Sequence, residues 1–109
     1  MSWWRTLIGL AAGAFFASAA GAQTHFSADE ISKGREQFHR TCSLCHGYNM
    51  VNPGTTAYDL RRFPLDDSVR FFTSVTNGKG GMPSFKDALT PEQMKLLWAY
   101  VGSRGGKEP

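Results

Sequence analysis

The chain has 109 residues, with 12 Lys or Arg against 9 Asp or Glu, a formal net charge of +3 and 41% hydrophobic residues. This length allows one small domain. The positive charge is weak and scattered along the chain, which gives no support for binding to nucleic acid.

The first 22 residues have the pattern of a secretory signal peptide. Arg5 supplies a positive charge, residues 7–16 are an apolar run, and residues 20–22, Ala-Gly-Ala, match a cleavage site. The apolar run is shorter than the ~20 residues that span a bilayer, so an uncleaved anchor is the less favoured alternative. We predict a signal peptide over residues 1–22 and a soluble exported domain over residues 23–109, with no membrane span after cleavage.

A first helix is predicted to begin after Ser27. Ser27 and Glu30 have the spacing of a capping box. Gly34 and Phe38 then lie on one helical face. Glycine inside a helix costs about 1 kcal/mol relative to alanine, so we expect Gly34 to allow the close approach of another helix.

Both cysteines lie directly after this helix, in the sequence Cys42-Ser43-Leu44-Cys45-His46. Cys42 and Cys45 share one face of a helical turn, so both thiols can reach the two vinyl groups at one edge of a porphyrin. His46 can turn its imidazole toward the iron, and neutral imidazole is a good iron ligand. The pattern is typical of covalent haem attachment.

The cysteine pair could also be a thioredoxin-like redox pair, a structural disulfide or half of a zinc site. Zinc would need two further ligands from only three histidines. A redox pair has no use for the adjoining histidine and would need alternating strands and helices, which the sequence does not show. Haem attachment is therefore favoured, and a covalently bound porphyrin would also stabilise a chain too short to build a large core.

Residues 48–65 are rich in Asn, Pro, Gly and Thr and predict an irregular loop. We expect a loop carbonyl near Pro53 to accept the proton of the second ring nitrogen of His46, which would fix its tautomer and raise its basicity as a ligand. Arg61 and Arg62 could donate to haem propionates. A solvated basic pair accounts for these two arginines equally well.

The next helix is predicted to follow Asp66 as its cap and to end just before Gly78. Its apolar residues recur at helical spacing, which predicts one buried face. That predicted face consists of Val69, Phe72 and Val75 or Thr76.

The glycine-rich segment 78–85 contains Met82, the candidate second axial ligand. Pro83 holds Met82 in an extended conformation. A thioether opposite a histidine favours reduced iron and closes it to small molecules. The alternative is a methionine that fills a gap in the core, but its place on a tight loop favours ligation. Met50 is too close in sequence to the haem motif to cross the porphyrin easily, and packing in the last helix explains Met94.

The last helix is predicted to begin at a second capping box, Thr90 with Gln93. Its apolar face includes Leu97 and Tyr100. Because both terminal helices are short, we expect this face to pack against the glycine-bearing face of the first helix. Residues 102–109 are predicted to be a frayed polar tail.

Residues 26–101 resemble the small monohaem class I c-type cytochromes. The matching segments are Gly34 to Phe38, Cys42 to His46, Asn77 to Phe85 and Leu97 to Val101. The resemblance implies an all-α fold of three to four helices wrapped around one covalent haem c. It also implies haem attachment through Cys42 and Cys45, and axial ligation of the iron by His46 and Met82. The loop proline follows the haem motif sooner than is usual in the family.

Residues 49–67 are similar to small cytochromes found with quinoprotein alcohol dehydrogenases. This similarity implies a periplasmic one-electron carrier, not an enzyme, which accepts electrons from a periplasmic quinoprotein dehydrogenase. The acceptor would be an oxidase or another cytochrome, and we expect a monomer.

Two alternative functions remain. A haem sensor or haem enzyme would need an open sixth position, and His25 and His39 are too few and poorly placed to suggest a distal acid-base pair. A fixed cytochrome subunit of a larger oxidoreductase would differ from a free carrier by co-purifying with its partner.

Overall fold

The structure, a computed structural model, describes Gly13 and residues 25–109. Apart from Gly13, the predicted signal peptide lies outside these residues. In the described part, the helices are α1 (Ala28–Thr41), α2 (Ser43–His46), α3 (Ser68–Asn77), α4 (Pro91–Val101) and two 3-10 helices, Tyr48–Met50 and Leu60–Arg62. Residues 25–109 contain no strand beyond one isolated bridge, which confirms the predicted all-α class. None of their helices has the length and apolarity needed to cross a bilayer.

Both terminal helices begin as their sequences predict. The hydroxyl of Ser27 accepts from the N–H of Glu30 at 3.1 Å, and the Glu30 carboxylate accepts from the N–H of Ser27 at 3.0 Å. Thr90 and Gln93 form the same reciprocal pair, at 3.1 and 2.8 Å. These bonds satisfy amide groups that a helix leaves unpaired at its start, so they fix where α1 and α4 begin.

α1 and α4 cross at Gly34. A Cβ at this position would clash with the backbone carbonyl of Leu96, so the crossing requires glycine. Beside it, the rings of Phe38 and Tyr100 pack with centroids 5.1 Å apart, and Leu97 is fully buried. The predicted packing of the two terminal helices is confirmed.

α3 begins one residue later than predicted. The carboxylate of Asp67, and not that of Asp66, accepts from the N–H of Arg70 at 3.1 Å. Of the two adjacent aspartates, only Asp67 directly precedes the first helical residue, where a side chain can reach an amide of the first turn. The predicted end of the helix at Gly78 is confirmed.

The predicted buried face of α3 is partly wrong. Phe71 and Val75 are buried, whereas Val69 is 74% exposed. Phe71 packs on Trp98 of α4 with ring centroids 5.0 Å apart, and Phe63 meets Phe71 edge-on at 5.9 Å. Burial of the larger aromatic side chain sets the rotation of α3, and this rotation turns Val69 to solvent.

The prediction of a frayed tail is wrong, because residues 102–107 form consecutive turns that pack on the helices. Ser103 is fully buried, and its hydroxyl donates to the carbonyl of Ala99 at 2.5 Å. Gly105 has a φ of +72°, which allows the chain to fold back. Its carbonyl accepts from the Arg35 guanidinium on α1 at 2.9 Å.

Candidate functional site

The two cysteines lie where α1 passes into α2. The N–H of Cys42 donates to the carbonyl of Phe38 at 2.8 Å, which closes the last turn of α1. Cys45 follows within α2 and is exposed. Both are free cysteines. Burial, with a smaller contribution from nearby Cys45, raises the pKa of the Cys42 thiol to about 12, so this sulfur is protonated at neutral pH.

His46 is oriented by a hydrogen bond to the main chain. Its Nδ1 lies 3.1 Å from the carbonyl oxygen of Tyr58. A carbonyl only accepts, so Nδ1 carries the proton and Nε2 presents its lone pair. Partial burial lowers the pKa of His46, and the bond to Tyr58 opposes this shift. The imidazole is therefore neutral at pH 7, which is the form that binds metals.

The expected loop carbonyl at His46 Nδ1 is confirmed, but it belongs to Tyr58 and lies farther along the loop than the predicted position near Pro53. Asn52 folds the intervening loop, because its side-chain oxygen accepts from the N–H groups of Gly54 and Thr55, both at 2.8 Å. Its amide nitrogen donates to the carbonyl of Ala57 at 2.8 Å. The closed loop brings the chain back to His46 five residues after Pro53.

A strained turn follows His46. Asn49 and Met50 have φ values of +55° and +63°, which are uncommon for residues other than glycine. His39 supports this turn from α1, because its Nε2 accepts from the N–H of Asn49 at 3.2 Å. The ring of Tyr48 stacks on His39 at 4.2 Å. His39 is therefore occupied within the fold and is not available as a distal acid or base.

Met82 lies on a tight reverse turn after α3. Lys79 and Met82 exchange two backbone hydrogen bonds, both 3.0 Å long. Gly80, the first residue between them, has a φ of +60°, the conformation that a type II′ turn requires at this place. The predicted glycine loop is therefore a two-residue hairpin, with Met82 at its end.

Two hydrogen bonds fasten the Met82 turn to α3. The hydroxyl of Ser84 donates to the carbonyl of Thr76 at 2.5 Å. The N–H of Phe85 donates to the carbonyl of Val75 at 2.9 Å. Met82 itself is half-buried and packs against the core. The position of its thioether thus depends on the C-terminal end of α3.

The other two methionines of the described chain are in the core. Met50 is 3% and Met94 8% exposed. The sulfur of Met94 accepts from the hydroxyl of Thr76 at 3.6 Å. Packing therefore explains Met94, as predicted.

Arg61 and Arg62 share the carboxylate of Asp59. Two nitrogens of Arg61 lie 3.0 and 3.1 Å from its oxygens, and Arg62 lies at 3.9 Å. The hydrogen bond from Arg61 lowers the pKa of Asp59. The loop therefore supplies one acid for two bases, which leaves a net positive charge there.

The side chains present fit a haem c. Cys42 and Cys45 offer two unpaired thiols on adjoining turns, His46 offers a neutral Nε2, and Met82 offers a soft thioether on a separate loop. A zinc site lacks its remaining ligands, because residues 25–109 contain no group of three or more His, Cys, Asp or Glu side chains that could hold a metal ion.

The family model described as "Cytochrome C oxidase, cbb3-type, subunit III" matches residues 29–101. The chain belongs to the cytochrome c family. Membership of this family implies one covalently bound haem c, so the predicted cofactor is confirmed. No solved structure is significantly similar to this cytochrome.

Curated relatives of this cytochrome include cytochromes c6 and short parts of quinohemoprotein alcohol dehydrogenases. It is 37% identical over 84 residues to cytochrome c6 from Gloeothece citriformis, covering 73% of this chain and 76% of that protein. It is 37% identical over 79 residues to cytochrome c6 from Nostoc sp., covering 69% of this chain and 70% of that protein. It is also 36% identical over 76 residues to quinohemoprotein alcohol dehydrogenase ADH-IIG from Pseudomonas putida, covering 68% of this chain but 10% of that enzyme.

Sequence reasoning missed the Tyr58 carbonyl and the support that His39 gives to the turn. A backbone acceptor leaves no side-chain signal. The loop that delivers it has one, because Asn52 two residues before Gly54 is typical of an Asx turn.

Proposed function

We propose that this cytochrome is a soluble periplasmic one-electron carrier whose haem is attached through Cys42 and Cys45 and ligated by His46 and Met82. The bound haem supplies an iron that exchanges one electron between its ferric and ferrous states. The observation that carries the proposal is the His46 bond to Tyr58, which leaves Nε2 unprotonated for a metal.

The protein side chains would tune and close the site. His46 donates its Nδ1 proton to a backbone oxygen, which orients the ring and raises its basicity. Met82 sits on a turn fastened to α3, so it can remain in place in both oxidation states. Two protein ligands would leave no open position for a substrate, which favours electron transfer over catalysis or gas sensing.

The donor is proposed to be a periplasmic quinoprotein dehydrogenase, and the acceptor an oxidase or another cytochrome. The similarity to quinohemoprotein alcohol dehydrogenase ADH-IIG supports the donor. The signal-peptide pattern of residues 1–22 supports the periplasm. Such redox contacts are small and transient, and the carrier is proposed to be a monomer.

The absorption spectrum tests the ligands. We expect a sulfur-to-iron charge-transfer band in the near infrared for the ferric protein, and a ferrous spectrum that carbon monoxide does not change. Met82→Ala should abolish the band, admit carbon monoxide and lower the potential by more than ~0.1 V, since axial ligands set haem potentials over about 0.8 V.

Met94→Leu is the matched control, because Met94 is buried in the core. It should retain the band. An unchanged spectrum and potential in Met82→Ala would refute ligation by Met82. Rapid carbon monoxide binding by the unmodified protein would instead favour a sensor or enzyme.

A fixed subunit is the second candidate, because the matching family model describes an oxidase subunit. Size-exclusion chromatography of the native periplasmic extract distinguishes a free carrier from a fixed subunit. A free carrier elutes as a monomer and is reduced by added quinoprotein dehydrogenase, whereas a subunit elutes with its partner at high salt.

A further inference from the structure

We propose that Arg70 is a positioning residue for His46, because it holds the Tyr58 ring and thereby the Tyr58 carbonyl that accepts from Nδ1. This inference rests on the iron ligation by His46 proposed above. It assigns a role in tuning the potential to an arginine that does not bind the iron.

The Tyr58 backbone carries the acceptor, while its side chain lies at the protein surface. The ring is 48% exposed, so solvent covers about half of it. It meets Phe63 edge-on, with centroids 6.3 Å apart. Its hydroxyl donates to the carbonyl of Arg62 at 3.3 Å, a long bond. These two contacts alone hold the ring weakly.

The guanidinium of Arg70 packs on the Tyr58 ring and adds a third contact. Its guanidinium carbon lies 5.5 Å from the centroid of the Tyr58 ring and 5.0 Å from that of Phe63. Both distances are within the ~6 Å reach of a cation–π contact. One half-buried side chain from α3 therefore joins a surface tyrosine to a buried phenylalanine.

Phe63 makes this contact rigid. It is 5% exposed and packs edge-on against Phe71 and Trp98, each at 5.9 Å. A side chain packed on two other buried rings has little freedom to move. The contact through Arg70 therefore fixes the Tyr58 ring relative to the aromatic core formed by α3 and α4.

The charge of Arg70 is directed to the rings. Among residues 25–109, no carboxylate lies within 4.0 Å of its guanidinium. By contrast, Arg61 and Arg62 both lie against Asp59. A guanidinium is weakly hydrated and suits an aromatic face, whereas a lysine ammonium keeps the charge but loses the flat stacking surface.

The consequence is a specific sign for the potential. We call the contact between Arg70 and the Tyr58 ring the clamp. Loss of the clamp would loosen the hydrogen bond at Nδ1 of His46, weaken His46 as a donor to ferric iron and raise the haem potential. Loss of a positive charge alone would lower the potential, because cationic surroundings favour ferrous iron. A substitution that keeps the charge therefore isolates positioning: simple electrostatics predicts no shift for Arg70→Lys, and positioning predicts a higher potential.

The test compares Arg70→Lys with Arg40→Lys, which preserves charge at an exposed arginine of α1 that does not contact Tyr58. The readouts are the midpoint potential and, by NMR of the ferrous protein, solvent exchange of the His46 Nδ1 proton. For Arg70→Lys we expect a higher potential and exchange roughly two- to fivefold faster, matching the loss of one partly exposed cation–π contact. Arg40→Lys should change neither the potential nor the exchange rate.

Tyr58→Leu breaks the same clamp from the loop side and serves also if Arg70→Lys does not fold. It should raise the potential, and the double variant should shift no further than Tyr58→Leu alone. If the sulfur-to-iron band persists, an unchanged potential and exchange rate in Arg70→Lys would overturn the clamp. Fully additive potential shifts in the double variant would overturn it as well. Absence of that band from the unmodified protein would overturn the proposed ligation instead.

Discussion

The α1–α4 crossing and the two loops that present His46 and Met82 are built in different ways. The crossing depends on buried surfaces, with Gly34 against the backbone of α4. The loops depend on a few hydrogen bonds that involve the backbone, such as those from Asn52 to Ala57 and from Ser84 to Thr76. Damage to the crossing should therefore cost stability, whereas damage to the loops should mainly alter the haem iron.

Leu97→Ala should give the largest loss of stability. Leu97 is fully buried, and truncation of a buried leucine costs about 2–5 kcal/mol. Urea unfolding of the haem-loaded protein measures the change. The control is Val69→Ala on the exposed side of α3, which should stay within ~0.5 kcal/mol. A similar loss in both variants would contradict the rotation of α3.

Gly34→Ala should cost about 3 kcal/mol, because the added methyl group forces two backbones apart. Gly81→Ala is the matched control, since no atom lies within 4 Å of a Cβ placed there, and its unfolding free energy should change by less than ~0.5 kcal/mol. Equal unfolding midpoints for the two variants would mean that α1 and α4 do not touch at Gly34.

Ser84→Ala tests the loop side of the comparison. Loss of its hydrogen bond to Thr76 should cost about 1 kcal/mol. The charge-transfer band assigned to Met82 should also weaken, because the turn is less firmly held. Ser32→Ala, on an exposed position of α1, should leave both stability and band intact. A stable variant with an intact band would show that the remaining bonds suffice.

Asp59→Asn should have the smallest effect, and it should depend on pH. The pKa of Asp59 is lowered in the folded protein, chiefly by the hydrogen bond from Arg61. The carboxylate therefore adds stability above its unfolded pKa, near 3.8, and this addition is lost as the pH falls through the lower folded value.

Urea unfolding from pH 7 to pH 3 provides the measurement for this carboxylate. The difference in unfolding free energy between Asp59→Asn and the unmodified protein should decrease as the pH falls. Asp66→Asn is the control at a neighbouring exposed carboxylate. A difference that increases at low pH would contradict the predicted sign of this pH dependence.

The terminal helices were predictable because their signals are local. Each capping box lies within four residues, and Gly34 is the kind of residue that a close crossing needs. The haem motif is equally local, and the family comparison confirms the cofactor. The attachment and ligand residues themselves stay predictions.

The failures came where distant contacts decide. The rotation of α3 follows from Phe71 meeting Trp98, twenty-seven positions along the chain, so periodicity alone placed Val69 wrongly. The partner of His46 is a backbone carbonyl, which every residue possesses and no residue type marks. In the same way, a polar composition concealed how residues 102–107 fold back.

Those terminal turns change where the domain can safely be cut. The family match stops at residue 101, yet Ser103 is fully buried and Gly105 is bound by Arg35. A protein trimmed at the family boundary would uncover the side chain of Tyr100 and leave Arg35 without its acceptor. Any fusion or purification tag should therefore follow residue 109 through a flexible spacer.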